Sequence, residues 1–222
     1  MKTFKSYKLF YNKFLYRLQI RNDLATVFRE KKFAITRTSL DKLQRLQDQN
    51  LDLEVERGLR RYRISEESFI DAKKLYNLFL GYDDFKLRVE SSYLNIYSNN
   101  KNWLKLISNS INSNNAIAFY QPDKSWEKLL DSHTIVLEKD IGFEYKVTIG
   151  KNRNSTGFAK WAYSNPSQVR LGPVAYEELL KNGYVDGFYF YAKNDKTLHL
   201  CSLMLDNIRR VDKILVQSNL DK

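Results

Sequence analysis

Over residues 14–21 apolar and polar positions alternate. Phe14, Tyr16, Leu18 and Ile20 fall on one side, and Leu15, Arg17, Gln19 and Arg21 on the other. A period of two marks a strand with one buried face. Residues 4–11 read as its partner, with Asn12-Lys13 at a hairpin turn. The pattern then turns helical. A short helix is expected over 23–31, capped by Asn22 or Asp23, and a second over 40–49, capped by Ser39. Residues 53–64 read as a hairpin turning at Gly58. Ser65 caps the clearest helix, 66–80. Its stripe of Phe69, Ala72, Leu75, Tyr76 and Phe79 is a core face, and Gly81 stands where a helix stops.

Strands are expected at 84–89 and 93–97, then a helix over 101–111. The polar run 109–115 is the best candidate seam between two halves, 1–112 and 113–222, in a chain whose length also fits one large domain. Beyond it, strands at 116–120, 134–138 and 143–149 precede helices at 158–163 and 175–181. Residues 184–192 and 197–205 read as a hairpin around Asn194-Asp195, and 207–217 as strand or helix. Mixed elements with frequent hairpins give an α+β fold of antiparallel sheets with packed helices. Three segments repeat an aromatic, a basic residue three positions on and then an aliphatic: Phe14-Leu-Tyr-Arg17-Leu, Phe85-Lys-Leu-Arg88-Val and Phe143-Glu-Tyr-Lys146-Val. The repeat suits two duplicated α/β halves. Amphipathic strands in an aromatic-rich chain would give the same pattern.

Hydrophobic residues make up 43% of the 222, enough for a packed core. With 3 Pro and 8 Gly, long disordered linkers are not expected. The single Cys201 rules out an internal disulfide and fits a reducing compartment. Its apolar run, 198–205, predicts a buried thiol. No stretch approaches the roughly 20 apolar residues of a membrane span, and the basic N-terminus lacks the apolar segment of a secretory signal. The expectation is a cytoplasmic protein without membrane contact.

Charge sharpens the picture. The first 37 residues hold ten Lys/Arg and two Asp/Glu, within a net charge of +11, so the rest is close to neutral. Eight Phe and Tyr in the first 33 residues predict that this segment is folded. Concentrated positive charge points to a polyanion, most simply nucleic acid. The candidate nucleic-acid-binding residues are Lys5, Lys8, Lys13, Arg17, Arg21, Arg29, Lys31, Lys32 and Arg37, with Arg57, Arg60, Arg61 and Arg63 in the next hairpin. If the two hairpins share a sheet, the Arg residues form one positive face. Such donors hold phosphates, and interleaved Tyr and Phe would stack unpaired bases at about 1–3 kcal/mol each. The run Lys151-Asn-Arg153-Asn-Ser-Thr-Gly157 adds Lys151 and Arg153 at a helix start, a setting that suits a phosphate. The same residue types also make ordinary turns and caps.

Catalytic signals are sparse. Pro122-Asp123 followed by Glu144-Tyr145-Lys146 resembles the signature of the restriction-like nuclease superfamily. That resemblance implies Asp123 and Glu144 as Mg²⁺ ligands and Lys146 on the attacked phosphate. His133 and His199 lack the spacing of a zinc site. No nucleophile elbow or local triad motif occurs. A non-enzymatic protein without cofactor or metal is therefore favoured over the nuclease.

The segments 84–99 (DFKLRVESSYLNIYSN) and 143–149 (FEYKVTI) resemble small uncharacterised proteins of tailed bacteriophages. Usage rich in Asn, Lys and Tyr is compatible with an AT-rich viral genome. The resemblance implies a setting in phage infection and the host cytoplasm, and brings no activity with it. The expected function is an accessory nucleic-acid-binding role in genome replication, transcription or genome handling. The alternative is a protein interaction module or virion component whose Tyr and Arg surface meets an acidic partner.

Overall fold

The computed structural model describes residues 1–57, 60–153, 155–181 and 184–220. The turn expected at Gly58 and the side chains of Arg57 and Arg60 lie outside the described residues. The chain forms two compact units. One comprises Met1–Ser6 and Lys13–Asp123, the other Tyr7–Asn12 and Lys124–Lys222. The division falls after Asp123 and not in the polar run 109–115, because the strand that follows that run completes the first sheet.

The first unit runs β1 (Lys2–Lys5), β2 (Tyr16–Arg21), a 3-10 segment (Ala25–Lys31), α1 (Phe33–Asp48), β3 (Glu54–Arg57), β4 (Arg60–Arg63), α2 (Glu66–Leu80), β5 (Phe85–Glu90), β6 (Tyr93–Ser98), α3 (Lys101–Ser110) and β7 (Ala116–Gln121). Its sheet has the order β1-β7-β2-β6-β5, with β1 parallel to β7 and the other neighbours antiparallel. Leu18 stands opposite Ile96 on one side and Phe119 on the other. These residues join Phe28, Leu43, Phe69, Leu75 and Phe79 of the helical layer in one core. The Ser65 hydroxyl accepts the Ser68 N–H at 3.2 Å, so the expected cap of α2 is in place.

Two expectations near the N-terminus are corrected. Residues 4–11 and 14–21 do not form a hairpin; β2 pairs with β6 and β7. The chain does turn at Tyr11 and Asn12, both at positive φ, but β1 finds its partner in β7, a long-range strand no local pattern could reveal. The β3–β4 hairpin forms its own two-stranded sheet, so it does not extend the main one.

The second unit runs β8 (Thr134–Leu137), β9 (Tyr145–Ile149), β10 (Asn152–Arg153), α4 (Thr156–Ser164), β11 (Val169–Leu171), α5 (Pro173–Leu180), β12 (Tyr184–Val185), β13 (Tyr189–Ala192), α6 (Asp195–Met204), β14 (Ile208–Val216) and α7 (Gln217–Leu220). Its sheet has the order β11-β13-β9-β14-β8, with β8 parallel to β14. Val147, Ile149, Phe158, Phe190 and Cys201 lie in its core. Residues 197–205, expected as a strand, form most of α6. The Asn194 side chain accepts the Thr197 N–H at 3.0 Å, and Thr197 and Cys201 are buried at helical spacing. The tail settles as a strand, β14.

Each sheet places its first strand at an edge, parallel to the last strand, with the second strand at the centre. Phe14–Leu18 of the sequence repeat leads onto β2 and its counterpart Phe143–Val147 onto β9, the two central strands. The third copy, at Phe85, lies on the edge strand β5 and is not equivalent. In both units an Asn-capped helix, α3 after Asn100 and α6 after Asn194, joins the penultimate strand to the last. The fold is α+β. Among the described residues no helix is long and apolar enough to cross a membrane.

Candidate nucleic-acid interface

The basic residues of the first 37 positions are spread over several surfaces. Strand alternation turns Arg17 and Arg21 away from the core, whereas Arg29, Lys31 and Arg37 belong to segments that pack on the core side of the same sheet. Lys8 lies in the second unit. Lys5 pairs with Asp123 at 2.8 Å, Lys13 with Asp84 at 2.7 Å and Arg37 with Asp41 at 3.8 Å. Lys31 lies 3.5 Å from the Phe85 ring centre and donates to the Asp83 carbonyl. Burial holds its pKa below the ordinary lysine value, against the pull of Asp83 and Asp84. Lys32 is exposed at the start of α1, and Arg29 is exposed on the 3-10 segment.

Arg17 is half-buried, its guanidinium 3.5 Å from the Tyr120 ring centre. Its neighbours on that face, Asn95, Tyr97 and Ala118, are buried, so this is not an open stacking platform. Arg21 is exposed opposite the exposed Tyr93. In the separate hairpin, Arg61 meets Glu56 and Arg63 meets Asp52 at 2.7 Å. The aromatic richness of this unit is largely core: Phe28, Phe79, Phe85 and Trp103 stack within it at centroid distances of 5.0 to 6.2 Å.

Exposed aromatics and cations also meet in the second unit. Tyr184, on β12, is 64% exposed. Lys151 Nζ lies 4.5 Å and the Arg153 guanidinium 5.8 Å from its ring centre. The β10–β12 pairing sets this geometry, with Arg153 directly opposite Tyr184. Between the two cations, Asn152 turns inward and is 1% exposed. Its amide donates to the carbonyls of Gly150 at 2.9 Å and Asn207 at 2.6 Å and accepts the Asn207 N–H at 2.9 Å. Gly150 permits this close approach, because a Cβ there would come within 2.7 Å of the Asn207 side chain. One buried amide thus fixes the backbone from which Lys151 and Arg153 project. The segment leads directly into α4, as the sequence predicts, although no side chain caps that helix.

A second couple lies on the main sheet. Lys146 Nζ is 4.1 Å from the ring centre of Tyr189. Burial lowers the Lys146 pKa, helped by Lys8 and Arg210 and opposed by Asp212. Sequence reasoning missed Tyr184 and Tyr189. Their one signal was the recurrence of Tyr near Lys and Arg; which Tyr remain exposed depends on strand pairing.

The nuclease set is not assembled within either unit. Asp123 belongs to the first unit, paired with Lys5, and Glu144 to the second. Among the described residues no group of three His, Cys, Asp or Glu side chains could hold a metal ion. His133 Nδ1 is 3.2 Å from the Val211 carbonyl, and His199 is exposed on α6. Comparison with protein-family models, with curated proteins and with solved structures finds no match for the chain.

Proposed function

We propose that this chain is a nucleic-acid-binding accessory protein, acting in genome replication, transcription or genome handling, and that it engages single strands through its second unit. The observation that carries the reading is Tyr184, exposed and accompanied by Lys151 and Arg153. An exposed phenol ring stacks an unpaired base of any sequence, and adjacent cations meet the phosphates on either side of it. A base inside a duplex has no free face to offer, which favours single strands.

The test is fluorescence anisotropy of the full chain with labelled single- and double-stranded DNA and RNA over a series of salt concentrations. Single strands are expected to bind more tightly than duplexes. Tyr184→Ala should cost about 1–3 kcal/mol of affinity, the value of one stacked base. Lys151→Ala and Arg153→Ala should each reduce the slope of log affinity against log salt by about 0.7, one single-strand phosphate contact. Absence of binding at low salt would end the reading. Stoichiometric recovery of one acidic protein, insensitive to nuclease, would replace it with the interaction-module alternative.

A further inference from the structure

The second unit holds a cavity of about 570 Å³ between β11, the start of α5 and β13. Its size falls within the roughly 300–1,000 Å³ typical of small-molecule sites. Leu171, Val174 and Phe188 make an apolar wall, and Arg170, Tyr189 and Tyr191 supply its polar groups. No acidic side chain is among the described residues that line it.

Strand register builds the polar side. Arg170 on β11 stands opposite Tyr191 on β13, and Tyr191 stands opposite Lys146 on β9. The result is a cross-strand row of cation, phenol and cation. Two positions back on the same face of β13, Tyr189 meets Tyr191 edge to face, with ring centres 5.7 Å apart at 77°. The Lys146 ammonium lies over Tyr189. Flat rings beside an apolar wall suit a planar heterocycle, and Arg170 in the lining, with Lys146 on the adjacent strand and no lining carboxylate, suits an anion attached to it. A cationic ligand is disfavoured by the same charges.

We infer that this cavity seats one nucleotide of a bound strand, its base against Tyr189 and Tyr191 and its phosphate towards Arg170. The inference rests on the single-strand reading and adds to it a pocket for one unit of the strand, on residues other than Lys151, Arg153 and Tyr184.

Calorimetric titration of the full chain with nucleoside 5′-monophosphates, nucleosides and inorganic phosphate tests it. The monophosphate should bind saturably, and the nucleoside and the free phosphate each at least tenfold more weakly. Arg170→Glu, a change at an exposed edge-strand position, should weaken monophosphate binding at least tenfold with an unchanged circular dichroism spectrum. Lys151→Ala with Arg153→Ala should weaken oligonucleotide binding while leaving the monophosphate within twofold. The inference is overturned if no monophosphate saturates, if Arg170→Glu binds as wild type, or if a Glu-rich peptide displaces the monophosphate at comparable affinity. Oligonucleotide binding without monophosphate binding removes the cavity and leaves the broader reading intact. Loss of both removes both. Monophosphate binding without oligonucleotide binding makes the cavity a free-nucleotide site and overturns the assignment to a strand.

Discussion

At the scale of single residues, burial and one short hydrogen bond decide what each group can do. Cys201 is fully buried, which pushes its thiol pKa up to about 12. The thiolate is the reactive form, so Cys201 should resist a disulfide reagent in the native protein and react only on unfolding. Rapid labelling of the folded chain would contradict this. Tyr145 donates its hydroxyl to Asp195 at 2.6 Å, and that bond to the carboxylate, with burial second, raises its pKa to about 12 from 10.0. A raised folded pKa means that the contribution is complete below about pH 10 and is lost as pH rises through about 12. Tyr145→Phe should therefore flatten the alkaline loss of stability between those values, as measured by urea melts at stepped pH.

At the scale of elements, the same devices recur in both units. Asn100 and Asn194 cap α3 and α6 at equivalent places, each accepting an N–H three residues on at 2.9 and 3.0 Å. Replacing either by Ala should cost about 1 kcal/mol, seen as a shift in denaturant midpoint. Asn152 has a larger part, because its amide satisfies the backbone at both Gly150 and Asn207. Asn152→Ala should cost about 1–3 kcal/mol through buried groups left unsatisfied. It should also weaken oligonucleotide binding while removing no cation and leaving the salt slope in place. A lowered slope in that variant would show that Asn152 does more than position its neighbours.

At the scale of the whole molecule, the N-terminal residues act as structure. β1 supplies an edge strand to the first unit, and Tyr7 binds into the second through the Val136 N–H, the Glu138 carboxylate and a stack on Trp126. Deleting residues 1–12 should lower the melting temperature by several degrees, at about 2–4 °C per kcal/mol for a chain of this size. It should also expose Trp126 and shift its fluorescence to the red. A detachable basic arm would leave both unchanged. Paired charge is also weak charge for a ligand. Lys13→Gln with Arg37→Gln should therefore alter the salt dependence of binding less than Lys151→Ala with Arg153→Ala.

By itself the sequence determined what depends on neighbours within about one turn or one strand. It determined the period-two face of β2, the Ser65-capped helix with its Phe69–Phe79 stripe, the buried thiol and the α+β class. It misread 197–205 because Leu198 and Leu200 alternate with Thr197, His199 and Cys201 as strand positions do; only the Asn194 cap and a core on one side decide for the helix. It also gathered charges that are close along the chain, and closeness along the chain is not closeness in space. Tertiary structure paired several cations with carboxylates and drew β1 to β7 across more than a hundred residues. It also decided which aromatic rings stay exposed, since strand register, set by the burial of Val147, Phe190 and their neighbours, places Tyr184, Tyr189 and Tyr191 beside cations contributed by other strands.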